Sequence, residues 1–127
     1  MTRHLIDTDV MIDVSRRNVE AATYIDSLDD ITISILTAHE LIVDAGNQSD
    51  ADGIDSLIKA YPVHKELNAQ ITGLAYELPK RYSRPSGLRT FDALIAATAI
   101  EEGFMLVSRN RKHFQVISGL NLLVTKY

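Results

Sequence analysis

The chain has 127 residues, of which 46% are hydrophobic and 24% are charged. This composition is typical of a globular protein, and the length allows one domain over residues 1–127 to bury a core. The sequence contains no cysteine, which excludes disulfides and thiolate metal sites. Since no apolar run approaches about 18 residues and no apolar leader follows a basic N-terminus, we expect a cytoplasmic protein that does not span a membrane.

Predicted strands and helices alternate along the chain. Short β-branched and apolar runs indicate strands at residues 4–6, 31–35, 62–64 (after a turn), 104–107 and 122–124. Amphipathic or apolar segments indicate helices at 9–17, 20–25, 37–46, 54–61, 67–82, 90–102 and 110–114, with loops at 47–53 and 84–87. Such alternation predicts an α/β fold in which a parallel sheet carries helices on both faces.

Four oxygen-bearing side chains lie just after predicted strands or in the first turn of a helix. They are Asp7, Glu40, Asp92 and Asn110. Because the carboxyl ends of parallel strands share one edge of the sheet, where α/β proteins place their sites, we expect these side chains to converge. Crowded carboxylates repel one another unless a cation relieves them, and oxygen ligands favour Mg²⁺ or Mn²⁺.

Each acid also has a purely structural explanation. Thr37 and Glu40 have the T-x-x-E spacing of a capping box, and Asp92 suits the N-terminal end of a helix. Asp9 could be an N-cap, and Asp13 fits a solvated position on the same helix. The four histidines form no helical i, i+4 pair, so the pattern does not indicate zinc.

Three stretches of the sequence resemble the successive motifs of PIN-domain proteins. They are LIDTDVMID (5–13), ISILTAHEL (33–41) and FDALIAATAIEEGFMLVSRNRKHF (91–114), and the similarity is greatest to VapC-like toxin ribonucleases of VapBC toxin–antitoxin systems. The resemblance covers nearly the whole chain. It implies a PIN-like domain with a parallel sheet of about five strands. It also implies a Mg²⁺-dependent endoribonuclease that hydrolyses RNA phosphodiester bonds, usually a homodimer that a cognate antitoxin holds inactive.

The resemblance assigns the catalytic acids to Asp7, Glu40 and Asp92. Asp7 and Asp92 are expected to ligate the metal directly, whereas Glu40 would either ligate it or deprotonate the attacking water. Asp9 and Asn110 are further possible ligands. Asn110 stands where the family often has an aspartate, and its neutral amide brings no charge, or else it merely caps the following helix.

Substrate binding is expected from the second half of the chain, because charge is distributed unevenly. Residues 1–57 carry twelve acids and three bases, a net charge of −9, whereas residues 58–127 carry five acids and ten bases, a net charge of +5. The expected RNA-binding residues are Arg89, Arg109 and Arg111, which would make binding sensitive to salt. The expected supporting polar residues are Thr8, Thr37 and Ser108.

Two other functions fit part of the pattern. Residues 7–10, DTDV, place two aspartates in a D-x-D pattern after a strand, which would make Asp7 the nucleophile of an aspartyl-phosphate phosphatase. No pair of aspartates in the last third of the chain supports the metal site of such an enzyme. The second alternative is a PIN-fold binding module that has lost its chemistry through Asn110.

Overall fold

Five parallel strands form one sheet in the computed structural model, which describes residues 2–127 apart from the side chains of Ser83 and Pro85. The strands are β1 (His4–Ile6), β2 (Ile31–Ser34), β3 (Val63–His64), β4 (Met105–Ser108) and β5 (Leu122–Val124). Their order in the sheet is β3-β2-β1-β4-β5, and every neighbouring pair is parallel. The predicted parallel α/β fold is therefore confirmed, while the extent of the domain over 1–127 stays a prediction.

Seven helices connect or follow these strands within residues 2–127. They are α1 (Thr8–Ser15), α2 (Val19–Asp26), α3 (Ile35–Val43), α4 (Gln48–Lys59), α5 (Ala69–Ser86), α6 (Thr90–Glu102) and α7 (Arg111–Phe114). None of the helices described here combines the length and the hydrophobicity that crossing a bilayer requires.

Both faces of the sheet are covered, because alternate residues of each strand point to opposite faces. Leu5 and its neighbour Leu106 are fully buried in one core with residues of α5, α6 and α7. Ile6 and its neighbour Val107 are fully buried in a second core with residues of α1, α2, α3 and α4. The two central strands are therefore apolar on both sides, as strands inside a parallel sheet are expected to be.

The strand order reverses at β1, which pairs with β2 on one side and with β4 on the other. After β1 the chain passes through α1 and α2 to β2, on the side of β1 away from β4. A crevice therefore opens outside the carboxyl ends of β1 and β4. Asp7 follows β1 directly, and Ser108 is the last residue of β4. The fold thus places these two polar residues at the position where open α/β sheets bind ligands.

Two helix starts differ from those expected from the sequence. Asp7, rather than Asp9, is the N-cap of α1 and accepts a hydrogen bond from the amide of Thr8 at 2.9 Å. Ser34 caps α3, where its hydroxyl accepts from the amide of Leu36 at 3.0 Å. The capping-box interpretation of Glu40 is therefore wrong, since the helix has already begun before Thr37.

Two segments predicted as loops are helical. Helix α4 begins at Gln48 because Asn47 caps it, its side chain accepting from the amide of Asp50 at 2.8 Å. Such a cap stabilises a helix by about 1 kcal/mol, comparable with the cost of placing Gly53 in its interior. Helix α5 continues to Ser86 and ends before Gly87, whose positive φ of 75° suits the residue after a helix.

Candidate functional site

Asp7 lies at the centre of the polar residues along the sheet edge. Its side chain is 4% exposed, and its Oδ2 accepts a hydrogen bond from the hydroxyl of Ser108 at 2.8 Å. Burial raises the pKa of Asp7 well above its ordinary value, and the nearby charges of Asp9 and, more weakly, Asp92 raise it further. The hydrogen bonds from Ser108 and Thr8 oppose this rise, because they favour the ionised form.

Asp9 lies in the first turn of α1 and, like Asp7, contacts residues at the end of β4. Its Oδ2 accepts from the main-chain N–H of Arg109 at 3.1 Å and lies 3.5 Å from the hydroxyl of Ser108. Its Oδ1 is buried and has no hydrogen-bond partner among the described residues. Burial also raises the pKa of Asp9. A buried acceptor with no donor is costly, so this oxygen needs a positive partner.

Thr8 connects Glu40 to Asp7, through its hydroxyl on one side and its main-chain N–H on the other. The hydroxyl of Thr8 donates to Oε1 of Glu40 at 2.7 Å and lies 2.9 Å from the hydroxyl of the buried Thr37. Since Thr8 has one hydroxyl proton and gives it to Glu40, Thr37 must donate to Thr8. The main-chain N–H of Thr8 donates to Asp7. Thr8 therefore fixes both acids relative to each other.

Asp92 approaches the same edge from α6, in whose first turn it lies. Its Oδ2 accepts from the main-chain N–H of Arg89 at 3.2 Å and lies 3.2 Å from Nδ1 of His113. Because the charge of Asp92 contributes to the raised pKa of Asp7, its carboxylate lies within electrostatic reach of the buried acid. Asp92 is thus held by the N-terminal end of α6, whereas Nδ1 of His113 accepts from the side-chain amide of Asn110 and so cannot also donate to Asp92.

The donor set suits a hard cation that retains part of its water shell. Among the described residues, no three or more His, Asp or Glu side chains lie close enough together to hold a metal ion by themselves. Mg²⁺ commonly binds proteins through only one or two carboxylates and fills its remaining positions with water. Asp7 and Asp9 supply two neighbouring carboxyl groups with raised pKa and one unpaired oxygen, which fits such an ion.

Residues 4–120 match the PIN domain family. The chain belongs to that family. Among solved structures, it is similar to VapBC2 from Rickettsia felis bound to a DNA fragment from their promoter, with 21% identity, a TM-score of 0.84 and coverage of 98% of this chain and 100% of the other. A toxin–antitoxin complex from Klebsiella pneumoniae gives 24% identity, a TM-score of 0.80 and coverage of 95% and 96%.

VapBC-1 from nontypeable Haemophilus influenzae is also similar, with 25% identity, a TM-score of 0.77 and coverage of 97% of this chain and 98% of the other. No curated protein matches the sequence significantly. The resemblance to PIN domains inferred from the three motifs is therefore confirmed. The individual site residues are not tested by these similarities, and their roles stay predictions.

Asn110 forms the cap of α7 in this PIN domain. Its Oδ1 accepts from the amide of His113 at 3.2 Å, and its Nδ2 lies 2.7 Å from the Nδ1 of the same histidine. Its main-chain N–H donates to the hydroxyl of Ser108 at 2.9 Å. The capping interpretation accounts for both ends of the amide, whereas a role in metal binding stays a prediction.

The arginines expected to bind RNA lie in two different environments. Arg89 and Arg111 are exposed, at the starts of α6 and α7. The guanidinium of Arg109 instead lies 2.9 Å from Asp13, whose side chain is only 17% exposed. The expectation that Asp13 is a solvated helix residue is therefore wrong, because Asp13 binds both Arg109 and the hydroxyl of Tyr127.

Sequence reasoning missed His113, Asp13 and Tyr127 as neighbours of the site. The contact between Asn110 and His113 spans three residues at a helix start, a local spacing that could have indicated it. A cavity of about 710 Å³ lies elsewhere, lined by residues at the end of α1, by residues 44–46 after α3 and by residues of α4, and by none of the predicted site residues. The predicted catalytic acids of this PIN domain thus lie at an open sheet edge rather than in that cavity.

Proposed function

We propose that this PIN domain is a metal-dependent endoribonuclease and the toxin component of a toxin–antitoxin system. One observation carries the proposal: Asp7 and Asp9 meet at the reversal of strand order, and one buried carboxylate oxygen has no partner. Raised pKa values at both residues mean that the fold tolerates two negative charges there poorly without a cation.

Asp7 would hold Mg²⁺ or Mn²⁺ together with Asp9 or Asp92, and water would complete the coordination. The bound ion supplies charge neutralisation at the phosphate and lowers the pKa of a bound water. Ser108 orients the carboxylate of Asp7 by donating to Oδ2, which leaves the remaining lone pairs of that group available. Membership of the PIN domain family, and a set of candidate ligand atoms that are all oxygens, support this assignment.

Glu40 would accept the proton of the attacking water. Its Oε1 receives the hydroxyl proton of Thr8, so its Oε2 is the oxygen available for the reaction. Thr37 donates to Thr8 in turn, and this buried chain fixes the direction of the carboxylate. A general base of this kind contributes typically about 100- to 10,000-fold to a rate, provided that it is oriented.

An antitoxin is the proposed regulatory partner, because one of the structures similar to this chain is described as a toxin–antitoxin complex. The homodimer and the cytoplasmic location are part of the same proposal and rest on the resemblance to the toxin ribonucleases. The antitoxin partner can be tested with the product of the gene immediately upstream. Co-expression with the product of the upstream gene should yield a stable complex that does not cleave RNA.

Cleavage of RNA is the direct test of the proposed activity. Purified protein should cut single-stranded RNA internally in Mg²⁺ or Mn²⁺, produce 5′-phosphate ends and stop when EDTA is added. Cleavage that continues in EDTA would contradict the metal requirement. Trapping a phosphorylated Asp7 from a phosphate-ester substrate would instead favour the phosphatase, and metal binding without any cleavage of RNA would favour the binding module.

The exposed arginines beside the site give a prediction about substrate binding. Replacing both Arg89 and Arg111 with alanine should weaken RNA binding and lower the salt slope by about 1 to 2, since each lost phosphate contact removes about 0.7 for a single strand. Filter binding with the Asp7→Asn background at several salt concentrations measures this. The matched control is Arg16→Ala with Arg17→Ala, which removes the same charge from the far end of α1. Equal losses in both pairs would show that the effect is only that of net charge.

A further inference from the structure

A second polar cluster lies beside the acidic site and joins three distant parts of the chain. Asp13 of α1 is largely buried, and its Oδ2 accepts from Nη1 of Arg109 at 2.9 Å and from the hydroxyl of Tyr127 at 2.7 Å. The ring of Tyr127 packs against that of Tyr24 in α2, with 5.7 Å between the centroids. Two donors therefore converge on one carboxylate oxygen.

Arg109 connects this cluster to the proposed metal site. Its main-chain N–H donates to Oδ2 of Asp9, while its side chain binds Asp13 one turn further along α1. The preceding carbonyl, of Ser108, accepts from the amide of Thr125 at 3.1 Å. The residue that follows β4 is thus attached to α1 through both its main chain and its side chain.

We propose that Asp13 and Tyr127 are positioning residues that act through Arg109 on Asp9. The side chain of Arg109 is 53% exposed, and among the described contacts the carboxylate of Asp13 is the group that fixes its guanidinium to α1. A charge-assisted hydrogen bond to a largely buried carboxylate is stronger than one between neutral groups. By holding this side chain, Asp13 and Tyr127 keep the N–H of Arg109 on Oδ2 of Asp9.

The consequence concerns the other oxygen of Asp9. With Oδ2 fixed by Arg109, the unpaired Oδ1 keeps one orientation at the sheet edge. Its role as a metal ligand rests on the proposed function, whereas the hydrogen bond to Arg109 does not. Arg109 accordingly acts first as an internal tether, and only its free guanidinium edge remains for a phosphate.

Amide hydrogen exchange tests the tether in the metal-free protein. Tyr127→Phe removes only the hydroxyl that binds Asp13, and the exchange of the Arg109 amide should become about three- to tenfold faster, as expected for the loss of one hydrogen bond. Amides in β1 should keep their wild-type rates. Tyr24→Phe, which removes the hydroxyl of the adjacent ring, is the matched control and should leave Arg109 unchanged.

Two outcomes would overturn the proposal. One is an Arg109 amide that exchanges at the wild-type rate in Tyr127→Phe. The other is an equal acceleration at every amide, which would indicate a purely structural role in global stability. The measurement needs neither metal nor RNA, so a protein that fails to cleave RNA would refute the proposed function and leave this result standing.

Metal affinity gives a second, independent measurement. Calorimetric titration with Mn²⁺ should show about three- to tenfold weaker binding for Tyr127→Phe and for Asp13→Asn, less than the roughly 10- to 100-fold loss that follows removal of a group directly behind a metal ligand, because these residues act through Arg109. In the Arg109→Met background, Tyr127→Phe should cause no further loss, because both changes break the same connection. Additive losses would contradict an action through Arg109.

Discussion

Replacing Asp7 with asparagine is expected to abolish RNA cleavage and, at the same time, to stabilise the metal-free protein at neutral pH. Loss of groups behind metal ligands costs about 10- to 100-fold, so loss of a direct ligand should lower kcat/KM by about 100-fold or more. The stability gain follows from the raised pKa of Asp7, because its ionised form is unfavourable in the folded protein.

The side-chain amide of asparagine preserves the shape of the cap. The substitution therefore tests the charge of Asp7 separately from its structural role in α1. Asparagine accepts from the Thr8 amide about as well as aspartate, so α1 should keep its N-terminus. Asp26→Asn, an exposed change in α2, is the control and should alter neither cleavage nor stability. An Asp7→Asn protein that cleaves RNA at the wild-type rate would remove Asp7 from the catalytic site, and one that is less stable than wild type at pH 7 would contradict the electrostatic argument.

The sequence was sufficient to predict that the candidate site residues Asp7 and Ser108 lie at one edge of the sheet, because the relevant signals are local. Asp7 follows a three-residue strand, and Ser108 ends another, so a parallel arrangement alone brings them to one edge. Their adjacency in the sheet follows from the strand order, which the alternation of elements does not determine. The motif resemblance supplied a parallel sheet of about five strands but not their order, which the structure gives as β3-β2-β1-β4-β5.

Contacts between distant residues could not be predicted in the same way. Thr8 and Glu40 are 32 positions apart, and Arg109 and Asp13 are 96 positions apart. No periodicity or spacing rule relates such residues, since their contact depends on how α1, α3 and the end of β4 pack together. For this reason the sequence offered Glu40 only a local contact, a capping box with Thr37, as the structural alternative to its predicted catalytic role, whereas its carboxylate accepts a hydrogen bond from Thr8 of another helix.

Helix boundaries were the other source of error, and their causes are capping side chains. The segment NQSDADG is polar and contains glycine, which favours a loop, yet the Asn47 cap begins α4 there. A capping side chain also places the start of α1 at Thr8, because Asp7 is both the cap of this helix and a candidate site residue. The position of Asp7 after a strand indicated only a candidate site residue, so the sequence analysis did not identify it as the cap of α1.

The metal-free protein should become less stable as pH rises, and divalent metal should reverse this trend. Burial raises the pKa of both Asp7 and Asp9, whereas an aspartate in the unfolded chain titrates near about 3.9. The folded protein therefore holds more protons than the unfolded chain, so the free energy of unfolding falls as pH rises above about 4. The fall ends once pH passes the folded-state pKa values, and its slope is at most about 1.4 kcal/mol per pH unit for each group.

Mn²⁺ binds ionised carboxylates, so its stabilising effect should grow over the same pH range. At about 100 times its dissociation constant, a ligand stabilises a protein by about 2.7 kcal/mol, which corresponds to a Tm increase of about 10 °C for a domain of this size. Thermal melts in MnCl₂, and in KCl of equal ionic strength with EDTA, at pH 5 and pH 7.5 measure this Tm increase.

The Asp7→Asn protein should show a shallower pH dependence of stability without metal and a much smaller Tm increase with Mn²⁺. The same Mn²⁺ shift in wild type and Asp7→Asn would show that the metal binds elsewhere, and a Mn²⁺ shift that is equal at both pH values would contradict its coupling to these carboxylates.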